Sequence, residues 1–364
     1  MNEKSYMEIK SKNLSLNEKE IKEGKLRLQS LPVSLYIDIN LKCNLQCPSC
    51  FRSDPKLRNK SWPTMDFETF EKIAHELFPT AHRAILSGGG ESIIHKDFDD
   101  ILKLTLHYQV RPVLYTNATL LNEKRLMLLV RAGTYLAISI NGATKEKFEK
   151  LRYPAKWERL TQSLDLIKET REKENNQDFF PYFGVVVQKD NLKELSLFVD
   201  LSVKHGFELI KYSKLDPYFA ELERKMPDPE HADKEFINAF ERANKNKIRL
   251  YAPDYGKTSF TETLKKLREE NASIQISLDK NNPDRFVKYP SFESKFCEIP
   301  WKETMITPEG KVVVGCCSGY LLGDINKETF ATIWNNKKYQ KLRKKVNSKR
   351  PLRFCRVDSC PFRK

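Results

Sequence analysis

Three cysteines close together in the chain are the residues whose types and spacing most clearly indicate chemistry. Cys43, Cys47 and Cys50 form a Cys-x-x-x-Cys-x-x-Cys pattern directly after the first predicted β-strand. Thiolates are the usual ligands of iron–sulfur clusters, and a four-iron cluster takes four terminal ligands. Three cysteines therefore leave one iron open, as in catalytic rather than closed structural metal sites. The triplet also fits a zinc loop completed by a distant ligand, or three buried thiols.

A glycine-rich turn that ends in an acid, Ser87-Gly88-Gly89-Gly90-Glu91, follows the second predicted strand. Glycine lets a backbone approach a ligand closely, and a carboxylate is a strong acceptor for an ammonium group. In an open parallel sheet, ligands bind beyond the carboxyl ends of the strands. We therefore expect the turn and the cysteine loop to share one site.

The elements that must position these residues alternate between β-rich and helical patterns, which is typical of βα units. The predicted strands are 35–40, 83–86, 112–115, 135–140, 182–187 and 209–212. The predicted helices between them are 66–78, 96–108, 123–132, 157–173 and 192–205, with Asp66 and Asn122 as N-caps. Successive parallel βα units are connected with the same hand, so six of them predict an α/β fold with a partial (βα)6 TIM-type barrel. A small C-terminal α+β module follows the barrel.

The 364 residues divide into four predicted parts. These are an N-terminal extension (1–34), the partial barrel (35–215), a substrate-specific insertion (216–296) and the C-terminal module (297–364). In the insertion we predict helices over 230–246 and 261–271 and a short strand over 249–251. In the module we predict a hairpin of 305–307 and 311–314 across Pro308-Glu309-Gly310.

The composition, with 40% hydrophobic and 31% charged residues, is that of a soluble globular protein and excludes a disordered or collagen-like chain. No apolar run is long enough for a membrane helix and the N-terminus lacks a signal-peptide core, so we expect a cytoplasmic protein in which structural disulfides are rare. The net charge of +15 is concentrated in 331–364, where twelve Lys or Arg face one acid. Such a segment is either a solvated helix surface or a contact for an anionic partner.

The cysteine triplet and the glycine–glycine–glutamate turn together resemble the radical S-adenosylmethionine (radical SAM) superfamily. The resemblance implies that the triplet holds a [4Fe–4S] cluster whose open iron binds the methionine part of SAM. It implies that Gly89, Gly90 and Glu91 receive the SAM amino group. It further implies SAM contacts for polar residues at or beyond later strand ends, namely Thr116, Ser139, Asn141 and Arg152. The implied reaction is reductive cleavage of SAM to a 5′-deoxyadenosyl radical, which abstracts hydrogen from an unactivated carbon.

Two positions depart from the family pattern. Ser49 stands where the family usually has an aromatic residue that packs near the adenine, and Phe51 is a candidate replacement. Ser92 stands where proline is frequent. Neither change affects a cluster ligand, so only the details of adenine packing are in question.

A second group of cysteines lies in the last 68 residues, at Cys297, Cys316, Cys317, Cys355 and Cys360. This segment resembles the SPASM or twitch extension of the superfamily, in which cysteines hold auxiliary [4Fe–4S] clusters. The resemblance implies one auxiliary cluster here, because two would need more cysteines. A structural zinc held by the same thiolates is the alternative.

Adjacent residues of a strand point to opposite faces, so we expect only one of Cys316 and Cys317 to be a ligand. The predicted auxiliary ligands are Cys297, Cys316, Cys355 and Cys360. The remaining thiol, Cys317 or alternatively Cys316, is a candidate hydrogen donor to a substrate radical, as in epimerases of this superfamily. Otherwise it is a small buried hydrophobic residue.

We expect the enzyme to oxidise or epimerise a polar small molecule that is sugar-like, cyclitol-like or phosphorylated. Peptide-modifying members often carry an additional N-terminal leader-recognition domain, whereas here only residues 1–34 precede the first predicted strand. The alternatives are a peptide- or protein-modifying maturase, an RNA-modifying enzyme drawn by the basic tail, and a non-catalytic iron–sulfur or zinc scaffold. The expected partners are a small-molecule substrate, either neutral or anionic, and a flavodoxin- or ferredoxin-type reductant. Nucleic acid is not favoured, and no membrane partner is expected.

Overall fold

One ten-stranded sheet forms the centre of the computed structural model, which describes residues 3–57, 60–217, 219–253, 255, 261–273, 296–315 and 320–355. The strands are β1 (Ser34–Ile37), β2 (Arg83–Ile85), β3 (Arg111–Thr116), β4 (Tyr135–Ser139), β5 (Phe180–Val187), β6 (Leu209–Lys214), β7 (Arg249–Tyr251), β8 (Glu303–Ile306), β9 (Lys311–Val313) and β10 (Leu321–Asp324). Their order in the sheet is β10-β9-β8-β1-β2-β3-β4-β5-β6-β7.

Helices join the strands and cover the outer face of the sheet. They are α1 (Glu3–Lys22), α2 (Phe67–Leu77), α3 (Phe98–His107), α4 (Glu123–Arg131), α5 (Lys145–Leu151), α6 (Trp157–Glu174), α7 (Leu195–His205), α8 (Ala220–Glu223), α9 (Pro229–Asn246), α10 (Thr261–Ala272), α11 (Ile299–Lys302), α12 (Phe330–Trp334) and α13 (Lys337–Val346). Within the described ranges, none of these helices is both long and apolar enough to cross a bilayer.

The predicted α/β fold class is confirmed, because β1 to β6 are parallel neighbours in chain order, as expected of successive βα units. The parallel sheet extends further on both sides. Strand β7 pairs with β6, and β8 pairs with β1 through Ser34 opposite Glu303 and Ile37 opposite Ile306. The hairpin of β8 and β9 forms as predicted, and β10 adds a second antiparallel strand. The sheet thus crosses both predicted limits of 216–296, and the division into domains stays a prediction.

The two faces of the sheet form two separate hydrophobic clusters. The inner face, which lines the barrel lumen, carries a small cluster that includes Tyr135, Phe180 and Tyr182. The outer face packs against the helices in one large cluster. Because side chains alternate along a strand, residues in register with the small cluster also face the lumen. By this criterion Tyr36 and Asp38 of the first βα unit point inwards.

Local capping signals were predicted correctly, whereas the first helix was not predicted. Asp66 accepts a hydrogen bond from the Thr69 N–H at 2.7 Å, and Asn122 accepts one from the Arg125 N–H at 2.9 Å. Helix α1 has no broad apolar stripe and is anchored instead by polar residues. Its Lys10 ammonium donates to Phe78 O at 2.9 Å, and its Asn17 amide donates to Trp301 O at 2.7 Å.

Candidate functional site

The three cysteines of the predicted cluster loop, residues 41–50, lie just beyond the carboxyl end of β1. Cys47 is buried, while Cys43 and Cys50 are half-buried. The Cys50 N–H donates to Cys47 O at 3.0 Å, and the Leu45 N–H points to Cys43 Sγ at 3.4 Å. The sequence therefore folds this segment into a compact turn with all three thiols at the functional edge of the sheet.

Polar contacts to later strand ends hold the loop in place. Asn44 donates to Thr119 Oγ1 and accepts from the Asn117 amide, each at 2.9 Å. Ser49 donates to the Gln188 Oε1 atom, just after β5, at 2.6 Å. The sequence analysis assigned no role to Asn44, Asn117, Thr119 or Gln188. For two of them a sequence signal existed, since Asn117 and Gln188 are polar residues within two positions of the ends of predicted strands.

Burial raises the pKa of the Cys43 and Cys50 thiols. A backbone N–H at each sulfur and the Arg152 guanidinium lower these pKa values in part. The chain alone therefore favours neutral thiols, and iron would supply the positive charge that a buried thiolate needs. The Arg152 Nε is itself buried and has no hydrogen-bond partner among the described residues, which leaves a donor beside the loop for a bound group.

The glycine turn after β2 lies directly against the cluster loop. A side chain at Gly90 would place its Cβ 2.6 Å from Asn40 O, and one at Gly88 would overlap the Asp38 carboxylate. The Glu91 N–H donates to Lys42 O at 2.8 Å, which joins the two segments. Because only glycine allows this approach of backbone to backbone, the turn and the loop form one cradle.

Glu91 is buried at 2% exposure, and both of its carboxylate oxygens accept hydrogen bonds. Thr116 Oγ1 donates to Oε1 at 2.8 Å, and the Asn117 N–H donates to Oε2 at 2.7 Å. Burial raises the pKa of Glu91, while these two donors, the Ile93 backbone N–H and the Arg152 charge lower it. A carboxylate has about four acceptor sites, so at least one remains for an ammonium group.

The four other residues predicted to contact SAM differ from one another in burial and in hydrogen bonding. Thr116 is buried and uses its hydroxyl hydrogen on Glu91. Asn141 accepts from the Val186 N–H at 3.1 Å and so joins the ends of β4 and β5. Ser139 is half-buried at the end of β4, and Arg152 follows α5 beside the cluster loop. The SAM contacts of these residues stay predictions.

The three cysteines of the cluster loop suit an iron–sulfur cluster better than a single metal ion. Among the described residues, no three His, Cys, Asp or Glu side chains are arranged to hold one metal ion. A four-iron cluster instead separates its cysteine ligands around a cube, each on a different iron. Three half-buried or buried thiols on one turn, with an unpaired Arg152 donor beside them, fit that group.

The structure describes two of the five cysteines in the C-terminal module. Cys297 and Cys355 are both buried. Asn347, at the end of α13, accepts from the Cys297 N–H at 2.8 Å and donates to Cys297 O at 3.1 Å. The predictions for Cys316, Cys317 and Cys360 lie outside the described residues. The ligand set and the hydrogen-donor role therefore stay predictions.

Comparisons with known proteins find a match for the barrel segment and another for the C-terminal module. The family model of the radical SAM superfamily matches residues 37–202, and SPASM, an iron–sulfur cluster-binding domain, matches residues 297–361. A PqqA peptide cyclase of Bradyrhizobium diazoefficiens is 24% identical over 52% of this chain and 48% of its own length. A protein of Pyrococcus furiosus named for modifying the cofactor of a tungsten-containing aldehyde ferredoxin oxidoreductase is 23% identical over 84% of this chain and 81% of its own.

A solved structure of Streptococcus suis SuiB bound to its precursor peptide SuiA shares the fold, with a TM-score of 0.60 and 14% identity over 89% of this chain and 69% of SuiB. The chain spans about half the length of the first curated relatives that it matches, at 48%. The SAM-binding [4Fe–4S] cluster, SAM and auxiliary iron–sulfur chemistry predicted from the sequence are confirmed at the level of the two domains. The chain therefore belongs to the radical SAM superfamily and carries a C-terminal SPASM iron–sulfur domain.

Proposed function

We propose that this enzyme modifies a residue within a peptide or protein. Support comes from relatives whose names concern peptides, the PqqA peptide cyclase and SuiB with its bound precursor peptide. The predicted sugar-like or cyclitol-like substrate is not confirmed. Residues 1–34 contribute helix α1, which packs on the barrel and on the segment before β8 and carries no argument for or against a peptide substrate.

The observation that carries the proposal is the open side of the barrel. Strands β7 and β10 are the two edges of the described sheet, so the barrel does not close on itself. Tyr115 on β3 and Tyr251 on β7 are each 46% exposed and lie in register with lumen-facing residues. Exposed aromatic rings at an open lumen suit a chain that enters and leaves, because aromatic side chains are common anchors in protein interfaces.

Each part of the cradle has a distinct role in this proposal. The three loop cysteines hold the cluster, and Glu91 with the glycine turn holds the SAM ammonium. When bound and reduced, the cluster supplies the electron that cleaves SAM to methionine and a 5′-deoxyadenosyl radical. Thr116 and the Asn117 N–H orient the Glu91 carboxylate, which would otherwise be a buried charge without donors.

A second candidate function is modification of a small cofactor. The observation in its favour is the Pyrococcus furiosus relative, whose match covers most of both chains. The two candidates use the same radical chemistry and differ in the substrate that enters the lumen. Substrate identity, rather than SAM cleavage, must therefore separate them.

The test is co-expression of the enzyme with each short peptide encoded beside its gene, followed by mass spectrometry of the peptide. We expect a changed peptide, for example one that has lost two hydrogen atoms or gained an internal crosslink. In vitro, a peptide deuterated at the changed residue should transfer deuterium to 5′-deoxyadenosine. The variant with all three loop cysteines replaced by Ala is the control and should leave the peptide unchanged.

The proposal would be contradicted by an enzyme whose SAM cleavage is stimulated only by small molecules and not by peptides or proteins. Extracts of the native host, separated by size before the assay, provide that comparison. Stimulation of SAM cleavage by the small-molecule fraction alone would favour the cofactor-modifying candidate.

A further inference from the structure

Helix α13 presents one continuous cationic surface to solvent. We define its lysine face as Lys337, Lys341 and Lys344, all of which are exposed. The opposite side of the helix packs into the protein through its buried residues Tyr339, Leu342, Arg343 and Val346. Residues three and four apart are neighbours on a helix surface, so the three lysines form a single row.

The fold by itself does not account for this row. None of the three lysines forms an ion pair within the described part of the chain. Like charges four residues apart destabilise a helix, and a cation such as Lys337 in the first turn opposes the helix dipole. A structural role would favour an acid at Lys337 and an opposite charge beside Lys341, whereas Lys344 lies in the last turn, where a cation suits the helix dipole. The row is therefore better explained by a partner with negative charge.

The end of this helix is attached to a cysteine of the iron–sulfur domain. Asn347 directly follows α13 and makes two hydrogen bonds with the backbone of Cys297, at 2.8 and 3.1 Å. Arg343, on the buried side, donates to Pro300 O at 3.0 Å in the segment that follows Cys297. A protein bound along the lysine face would therefore lie close to the auxiliary cluster domain.

We infer that the lysine face is the docking surface for a small acidic one-electron carrier protein, of the flavodoxin or ferredoxin type. In the complex, the reduced carrier would give up one electron and become oxidised. The iron–sulfur clusters that the loop and SPASM cysteines would hold would accept this electron, which SAM cleavage then consumes. Charge complementarity mainly raises the association rate and fixes orientation, which suits a transient electron-transfer complex. The inference requires only that the protein performs radical SAM chemistry, and it does not depend on whether the substrate is a peptide.

The same surface suits RNA less well. Proteins that bind single-stranded nucleic acid combine a basic groove with aromatic side chains on which bases stack. Tyr339 is the one aromatic residue in α13, and it is buried with its hydroxyl 3.0 Å from Thr304 Oγ1. The lysine face thus offers charge on a convex helix without a stacking surface.

The test compares two variants of the reconstituted enzyme that lose the same charge. The first carries Lys337→Gln, Lys341→Gln and Lys344→Gln. The control carries Gln at three other exposed lysines without ion pairs in the described chain, Lys168 on α6, Lys204 on α7 and Lys245 on α9. Affinity for a purified flavodoxin is measured by titration at low and at physiological salt. SAM cleavage is then measured with reduced flavodoxin and with dithionite.

We expect the lysine-face variant to bind flavodoxin about tenfold more weakly, as expected for the loss of three exposed charge contacts. Its binding should also depend less on salt. Its flavodoxin-driven SAM cleavage should fall at subsaturating flavodoxin, whereas the dithionite-driven rate should match the parent. The control variant should behave as the parent in all assays.

Three results would overturn the inference. The first is an unchanged flavodoxin affinity in the lysine-face variant. The second is an equal loss in the control, which would indicate a general effect of net charge. The third is a loss of affinity for an RNA oligonucleotide that exceeds the loss of affinity for flavodoxin, which would assign the surface to nucleic acid.

Discussion

Replacing Asp38 with Asn should stabilise the enzyme at neutral and higher pH. Asp38 follows β1 on the lumen side, is 6% exposed and packs against Gly88. Its Oδ1 atom is buried and has no hydrogen-bond partner among the described residues. Burial, with a smaller contribution from the Glu309 carboxylate, raises the pKa of Asp38 to about 7. The folded protein therefore bears a buried carboxylate that is costly to ionise.

The magnitude follows from the difference between the folded and unfolded states. A rise in pKa from 3.8 to about 7 corresponds to an unfavourable free energy of about 4 kcal/mol once Asp38 is ionised in both states. Between these pKa values the folded chain retains a proton that the unfolded chain has released. The free energy of unfolding therefore decreases as pH rises through this window and is level above it. An Asn at this position has no such titration and is similar in volume.

The assay is urea unfolding of the protein without its clusters, followed by tryptophan fluorescence at about pH 4.5 and about pH 8. The variant should unfold at a higher urea concentration than the parent at the higher pH, and at a similar concentration at the lower pH. The difference between the two proteins isolates Asp38, because other titrating groups contribute equally to both. Asp228→Asn is the control, since Asp228 is the exposed N-cap of α9 and Asn caps equally well.

This reasoning would be refuted if the free energy of unfolding changed with pH in the same way for the parent and the variant. A variant less stable than the parent at about pH 8 would show that Asp38 makes a favourable ionic contact in solution. Either result would mean that the carboxylate is not the unpartnered buried charge described above.

Three further predictions concern the cradle and the auxiliary domain. Replacing all three cysteines of the cluster loop with Ala should abolish 5′-deoxyadenosine formation but leave about four irons per chain, and a further Cys355→Ala should lower the iron content measured by colorimetric assay. Thr116→Val should lower the free energy of unfolding by about 1–3 kcal/mol and weaken SAM binding in equilibrium dialysis, whereas Thr116→Ser should restore both. Gly90→Ala should reduce iron incorporation, because its Cβ would lie 2.6 Å from Asn40 O, whereas Gly184→Ala, with its nearest contact at 3.9 Å, should load iron normally.

Local sequence patterns determined much of this protein. The order of six βα units, the caps at Asp66 and Asn122 and the β8–β9 hairpin all depend on residues near each other in the chain. The cysteine triplet and the glycine turn were identified for the same reason, since each is a short motif directly after a strand. Such features are predictable because periodicity, capping and turn chemistry act over a few residues.

Only the tertiary structure decided which segments far apart in the chain lie side by side. Nothing in the local pattern places β8 beside β1, across more than 260 residues, because strand partners are chosen by the packing of the whole sheet. The contact of Ser49 with Gln188 likewise joins segments 139 residues apart. Helix α1 lacked an apolar stripe and is held by buried polar bonds such as that of Asn17. The burial that raises the pKa of Asp38 also arises only when the glycine turn packs against β1, since desolvation depends on neighbours in space rather than in sequence.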